Sequence, residues 1–270
     1  MGEDSLKLKK LVCIGDSHAS FFAGKDMIQK EYPDPSINAI PFLEGIRLGP
    51  VLAYSLHKEN TTNCGREKLF EIVAKLDKEQ ASILFCFGEI DCRFHIIKQA
   101  ERQGISLEEG VRNCVDSYFK VIKEVKDLGF DVFVWNAIPT SYLNQNPEYP
   151  HYGNHQQRNL CTRCFNDMLK SKCNNHGIVF VDVFDALVVK RLFTKEHYLF
   201  DGVHLGQIAM PLFLREIKQY FPQIKLPLRR RVFSYYELIK VYSLFKARKF
   251  RQLIVNKVRA LQKDWYPSVK

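Results

Sequence analysis

Five short apolar runs, rich in β-branched and aromatic residues, limit the fold more than any other feature. They are LVCIGD (11–16), SINAIPF (36–42), SILFCFG (82–88), DVFVWNAI (131–138) and GIVFVDV (177–183). None alternates strictly between apolar and polar, which is the pattern of strands covered on both faces in a parallel sheet. Helix-like segments separate them. GREKLFEIVAKLDKEQ (65–80) places Leu69, Ile72, Val73 and Leu76 along one face, and 106–129 opens on Ser106 with an acidic first turn and closes at Gly129. A helix over 156–173 precedes the fifth run and another over 206–221 follows it. Strands alternating with helices predict an α/β domain built on a parallel sheet. The connection from Pro139 to His155, rich in Asn, Pro, Tyr and His, is longer than a plain link needs and is expected to be a working loop.

The net charge of +10 is concentrated at one end. Residues 225–270 hold 13 Lys and Arg against two acidic side chains, Glu237 and Asp264, while the rest of the chain is close to neutral. The expected organisation is a neutral domain over 1–224 and a basic amphipathic helical tail over 225–270. In the tail, Leu238, Tyr242, Phe245, Leu253, Ile254, Val258, Leu261 and Trp265 recur at near-helical intervals among the cations. An anionic membrane surface would attract residues 229–263, each cation contributing about 1 kcal/mol. Packing on the domain or on a second subunit is the competing use, and nucleic acid is not expected as a partner.

No stretch reaches the length of an apolar membrane span. The polar start MGEDSLKLKK runs straight into the first apolar run, so no signal peptide is expected. The expectation is therefore a cytoplasmic protein with reduced thiols, with a peripheral place at the inner membrane face if the tail binds lipid. Cys13, Cys86 and Cys92 fall in or beside expected core strands, where cysteine acts as a small hydrophobe. Cys161, Cys164, Cys173 and His176 have a Cys3His spacing that would suit zinc. A continuous helix through them, however, separates Cys164 from Cys173 by about 13 Å of rise, too far for one tetrahedral ion. No metal is expected.

In open parallel sheets, ligands bind beyond the carboxyl ends of the strands. Polar clusters fall there: GDSHAS after the first run, LEGIRLGP after the second, GEIDCRFH after the third, NAIPTS after the fourth, and DGVHLG (201–206) shortly after the fifth. Asp201 and His204 are three apart, so a carboxylate in a turn can accept from imidazole Nδ1 and leave Nε2 free to take a proton. Ser17 would supply that proton. Helix capping by Ser17 and Asp201, with His204 on the surface, explains each stretch separately. Their joint occurrence favours nucleophilic chemistry.

The order G-D-S, then a glycine loop, then G-x-x-D, then D-x-x-H resembles the SGNH, or GDSL-type, hydrolase family over about residues 10–220. The resemblance implies a flavodoxin-like α/β/α sandwich with strand order 2-1-3-4-5 and ester or acyl chemistry without a cofactor. It makes Ser17 the nucleophile, His204 the general base and Asp201 its orienter. The backbone N–H groups of Ser17 and of Gly49, or less readily Gly45, become oxyanion donors. One position departs from the family: its third block carries an asparagine that donates to the oxyanion, and here Ile90 stands in its place. Arg93 is the nearest substitute donor. GEIDCRFH and LGPVLAY (48–54) resemble members associated with polysaccharide biosynthesis, which points to a carbohydrate ester as substrate. His18, Glu89, Asp91 and Arg93 are expected to meet that substrate, with His95 a further candidate for clamping it.

Overall fold

A computed structural model describes residues 8–143 and 148–226 of the 270-residue chain. The basic tail expected over 225–270, including 229–263, lies outside the described residues beyond Leu226. The fold belongs to the unit Met1–Lys225.

Five strands form one parallel sheet in the order β2-β1-β3-β4-β5. They are β1 (Lys10–Gly15), β2 (Leu43–Arg47), β3 (Ala81–Cys86), β4 (Val132–Trp135) and β5 (Val179–Val181). The helices are α1 (Gly65–Lys75), α2 (Ile96–Gln103), α3 (Leu107–Asp127), α4 (His155–Asn175), α5 (Phe184–Leu187) and α6 (Met210–Ile217). A small hairpin, β6 (Val188–Val189) with β7 (Phe193–Thr194), comes after α5.

Side chains of successive strand residues point to opposite faces, so each run feeds two cores. Val12, Ile14, Ile83, Phe85, Val132 and Val134 join the buried faces of α1, α3 and α4. On the other side, Trp135 packs with Phe21, Phe22 and Phe213, and Phe133 packs with Phe221. The product is a three-layer α/β/α sandwich. Caps fix the long helices: Ser106 accepts from the Glu109 N–H at the start of α3, and Asn154 with Gln157 forms a reciprocal capping box on α4.

The second strand is not where the apolar run predicts it. SINAIPF (36–42) is irregular, and LEGIR, expected as a loop, pairs with β1 from Leu11↔Leu43 to Gly15↔Arg47. Gly45 explains the exchange. A Cβ there would sit 2.5 Å from the Ala19 carbonyl oxygen, so only glycine lets the turn after β1 lie against this strand. Upstream, Asn38 serves β2 by accepting the Gly45 N–H, and Pro41 has no N–H to offer a ladder.

Candidate active site

β1 stops at Gly15, and Asp16 turns the chain. Its Oδ1 accepts the His18 N–H at 2.9 Å and caps the short 3-10 helix Ser17–Ala23, leaving Ser17 at the helix start beyond the sheet edge. At the other end of the domain Asp201 builds its own turn, with Oδ1 accepting the N–H groups of Val203 at 2.9 Å and His204 at 2.7 Å. That local turn is why three-residue spacing works: it brings Asp201 Oδ2 to 2.6 Å from His204 Nδ1. His204 Nε2 then lies 2.8 Å from Ser17 Oγ, across 187 residues of sequence.

Protonation is set by the surroundings. Burial would raise the Asp201 carboxyl, but the bonds from the His204 ring and from backbone N–H groups outweigh it and hold the group at about 2. Asp201 is thus a carboxylate, Nδ1 of His204 carries the proton, and Nε2 presents a lone pair to the Ser17 hydroxyl. Burial of His204, 2% exposed, pushes its pKa below the ordinary histidine value, with Asp201 opposing. At neutral pH the imidazole is therefore uncharged and can accept a proton.

Three rings surround that base. His18 lies 4.6 Å from it between centroids, Tyr149 meets it edge-on at 5.3 Å, and Phe200 stands at 6.0 Å. His18 Nε2 is 3.0 Å from Glu89 Oε2. Glu89 in turn accepts from Arg93 Nε at 2.8 and 3.1 Å. Burial would raise Glu89, yet the charges of Arg93 and His18 bring it down to about 2. Arg93 Nη1 donates to the Pro150 carbonyl, and the Tyr152 N–H donates to the Arg93 carbonyl at 3.0 Å. One guanidinium thus ties together two supports of His204: the carboxylate beneath His18 and the strand of loop that carries Tyr149.

Several sequence expectations are corrected by these contacts. Arg93, expected to meet substrate, is 5% exposed and engaged with Glu89 and Pro150. The wide π-helical turn Asp91–His95 that precedes α2 carries its side chain inward. Asp91, expected to meet substrate, is fully buried. Its oxygens accept the Ala53 N–H at 2.8 Å and the Tyr54 N–H at 3.1 Å, which makes it the brace of the segment after Gly49. The Gly45 N–H is occupied by Asn38 Oδ1 and is not an oxyanion donor. Gly49 has a left-handed φ of 105°, and a Cβ there would fall 2.6 Å from the Glu31 carboxyl carbon. His95 is half-buried, and burial lowers its pKa. The helix through Cys161, Cys164 and Cys173 is unbroken, with Cys161 and Cys173 in the core. Among the described residues no group of side chains is arranged to hold a metal.

Tyr149, Phe200 and Arg158 were not singled out by sequence. Arg158 holds both ends of the long loop, donating to Thr140 Oγ1 at 3.1 Å, the Ser141 carbonyl at 3.1 Å and the Gly153 carbonyl at 2.6 Å. The loop's aromatic content was the available signal for Tyr149; nothing in the local sequence marked Arg158.

No protein-family model matches the chain. No curated protein matches it in sequence either. Solved structures align with most of it. A GDSL-like lipase from Bacteroides thetaiotaomicron is 16% identical, with 83% of this chain and 92% of that one covered at a TM-score of 0.46. Phospholipase A1 from Streptomyces albidoflavus is 13% identical, covering 79% and 99% at 0.46. Axe2, an acetylxylan esterase from Geobacillus stearothermophilus, is 14% identical, covering 80% and 96% at 0.45.

Proposed function

We propose that this protein is a serine-dependent ester hydrolase or O-acyltransferase acting on an acyl ester of a carbohydrate. The observation that carries the reading is the continuous line Asp201 Oδ2, His204 Nδ1, His204 Nε2, Ser17 Oγ, with separations of 2.6 and 2.8 Å at its two hydrogen bonds. As His204 takes the hydroxyl proton, Ser17 Oγ attacks the acyl carbon and the carbonyl electrons move onto oxygen. The backbone N–H groups of Ser17 and Gly49 are the donors assigned to that oxyanion. Collapse of the tetrahedral species breaks the bond to the leaving alkoxide, which takes the proton back from His204. The acyl-enzyme is then opened by water, giving a hydrolase, or by a sugar hydroxyl, giving a transferase, with His204 again the base.

The carbohydrate part of the reading rests on the likeness of GEIDCRFH and LGPVLAY to polysaccharide-associated members of the SGNH family. A cytoplasmic site at the inner membrane face, with the basic tail on anionic lipid, is part of the same proposal. Ile90 favours a second reading. Loss of an oxyanion donor costs about 10²–10³ in rate, and a relative so weakened would serve as a glycan-binding protein on the same fold. Burst kinetics with p-nitrophenyl acetate separate the two. The enzyme reading expects a burst of one p-nitrophenolate per Ser17 and an acetyl group on that residue by mass spectrometry. Added sugar hydroxyls would speed deacylation if the protein is a transferase. Turnover no faster than in Ser17→Ala would discard the enzyme reading and retain the binding one.

A further inference from the structure

A cavity of about 310 Å³ opens between the segment after Gly49, the π-helical turn, α2 and the start of α3. Ser17, Asp201 and His204 do not line it, and nothing in the mechanism uses it. Its volume lies at the low end of small-molecule sites, about 300–1,000 Å³. Leu52, Ile96 and Ala100 give it apolar walls, and Asp91 lies at its inner side. Three amide side chains, half-buried Gln99 and exposed Gln103 and Asn113, also line it, and none of them has a side-chain hydrogen-bond partner among the described residues. Tyr54, 44% exposed, also lines it; Asp91 accepts its backbone N–H, and the Lys58 ammonium lies 4.7 Å from the centroid over one face of its ring.

This lining specifies a ligand class. Each amide offers two donors and an acceptor without a formal charge. The one carboxylate is already occupied by backbone N–H groups of Ala53 and Tyr54. His95 is kept uncharged at neutral pH by its burial. An alkyl chain would make no use of the amides' donors and acceptors, and an anion would find no unpaired cation among the lining residues. A neutral ring studded with hydroxyls, presenting an apolar face to Tyr54 and polar edges to the amides, answers all of these features.

We infer that this cavity is a binding site for a neutral sugar ring, recognised by Tyr54, Gln99, Gln103 and Asn113. The inference deepens the proposed function and rests on its carbohydrate reading, but it requires no acyl chemistry. Asp91 links the two regions of the protein: two residues before it, Glu89 supports His18 beside the base, and Asp91 itself sets the wall of the cavity.

The test is ligand-observed saturation-transfer NMR on the full chain. The probes are methyl glycosides of neutral pentoses, hexoses and N-acetylhexosamines, with octanoate as the apolar comparison. At least one glycoside is expected to bind wild type and Ser17→Ala equally, and to bind Tyr54→Ala and the double variant Gln99→Ala, Asn113→Ala at least tenfold more weakly. Both sets of variants should keep the wild-type melting profile and the wild-type rate on p-nitrophenyl acetate. Binding by none of the glycosides, equal binding by the variants, or octanoate binding abolished by the same substitutions would overturn the assignment. Glycoside binding by a protein whose Ser17 never acylates would defeat the catalytic reading and leave this one standing. Acylation without glycoside binding would do the reverse.

Discussion

The pair Glu89–Arg93 offers a direct way to weigh the scaffold behind the base. Both side chains are buried and their atoms lie 2.8 Å apart, with His18 the only other side chain on the carboxylate among the described residues. Arg93→Met keeps much of the packing volume but leaves the Glu89 carboxylate with His18 alone. Breaking a buried pair from one side costs about 3–5 kcal/mol. At about 2–4 °C per kcal/mol for a domain of this size, the melting temperature should fall by about 6–20 °C. Glu89→Gln strands the guanidinium instead, and a similar loss is expected. The double variant leaves no unpaired charge, so its loss should fall short of the summed single losses by about 2–3 kcal/mol, near the upper end for coupled neighbours. Urea unfolding tracked by circular dichroism measures all four proteins. Acid supplies a second check. Glu89 sits at about 2 in the folded protein against an ordinary 4.5, so its stabilisation is complete above about pH 4.5 and fades as the pH falls toward 2. That fading should be absent from Glu89→Gln. Single losses that add to within about 0.5 kcal/mol would refute the claim that the two charges depend on each other.

The site itself sets three further expected outcomes. Asp201→Asn removes the charge that fixes the His204 tautomer and should lower kcat/KM on p-nitrophenyl acetate by about 10⁴-fold; a loss under tenfold would remove Asp201 from its role. The acid limb of that activity should have its midpoint below pH 6.5, because burial lowers the His204 pKa and the base works only when unprotonated; a midpoint above 6.5 would contradict the assignment. Burial raises Asp16 from 3.8 to about 8, so the folded state keeps a proton that the unfolded chain loses, and stability from this group declines as pH rises between those values. Asp16→Asn keeps an acceptor for the His18 N–H, and by calorimetry its melting temperature relative to wild type should rise from pH 5 to pH 8.

The legible parts of this protein were those governed by short-range patterns. Four of five strands overlap their apolar runs because burial on both faces leaves a continuous signature. The spacing of Asp201 and His204 allowed their pairing, since one turn of chain joins them, but it took GDSH at the other end of the domain to favour it. β2 was misplaced because its Gly45, which reads as loop, is there for a contact with Ala19 that only the folded chain makes. The role of Asp91, and the tie from Arg93 to the long loop, were hidden for the same reason: the partners there are backbone groups of Ala53, Tyr54 and Pro150, and a backbone N–H or carbonyl leaves no mark in the sequence. Helix α2 escaped notice because IIKQAERQ buries only Ile96, Ile97 and Ala100, too few for a clear period.

The most direct test of the catalytic account is covalent labelling by a fluorophosphonate, read by intact mass and peptide mapping. Attack on phosphorus requires an activated hydroxyl and makes no demand on the natural substrate. One adduct per chain is expected, on Ser17, absent from Ser17→Ala and formed far more slowly in His204→Ala. A wild-type protein left unmodified beside a fully labelled serine esterase, or modified at another residue, would contradict it.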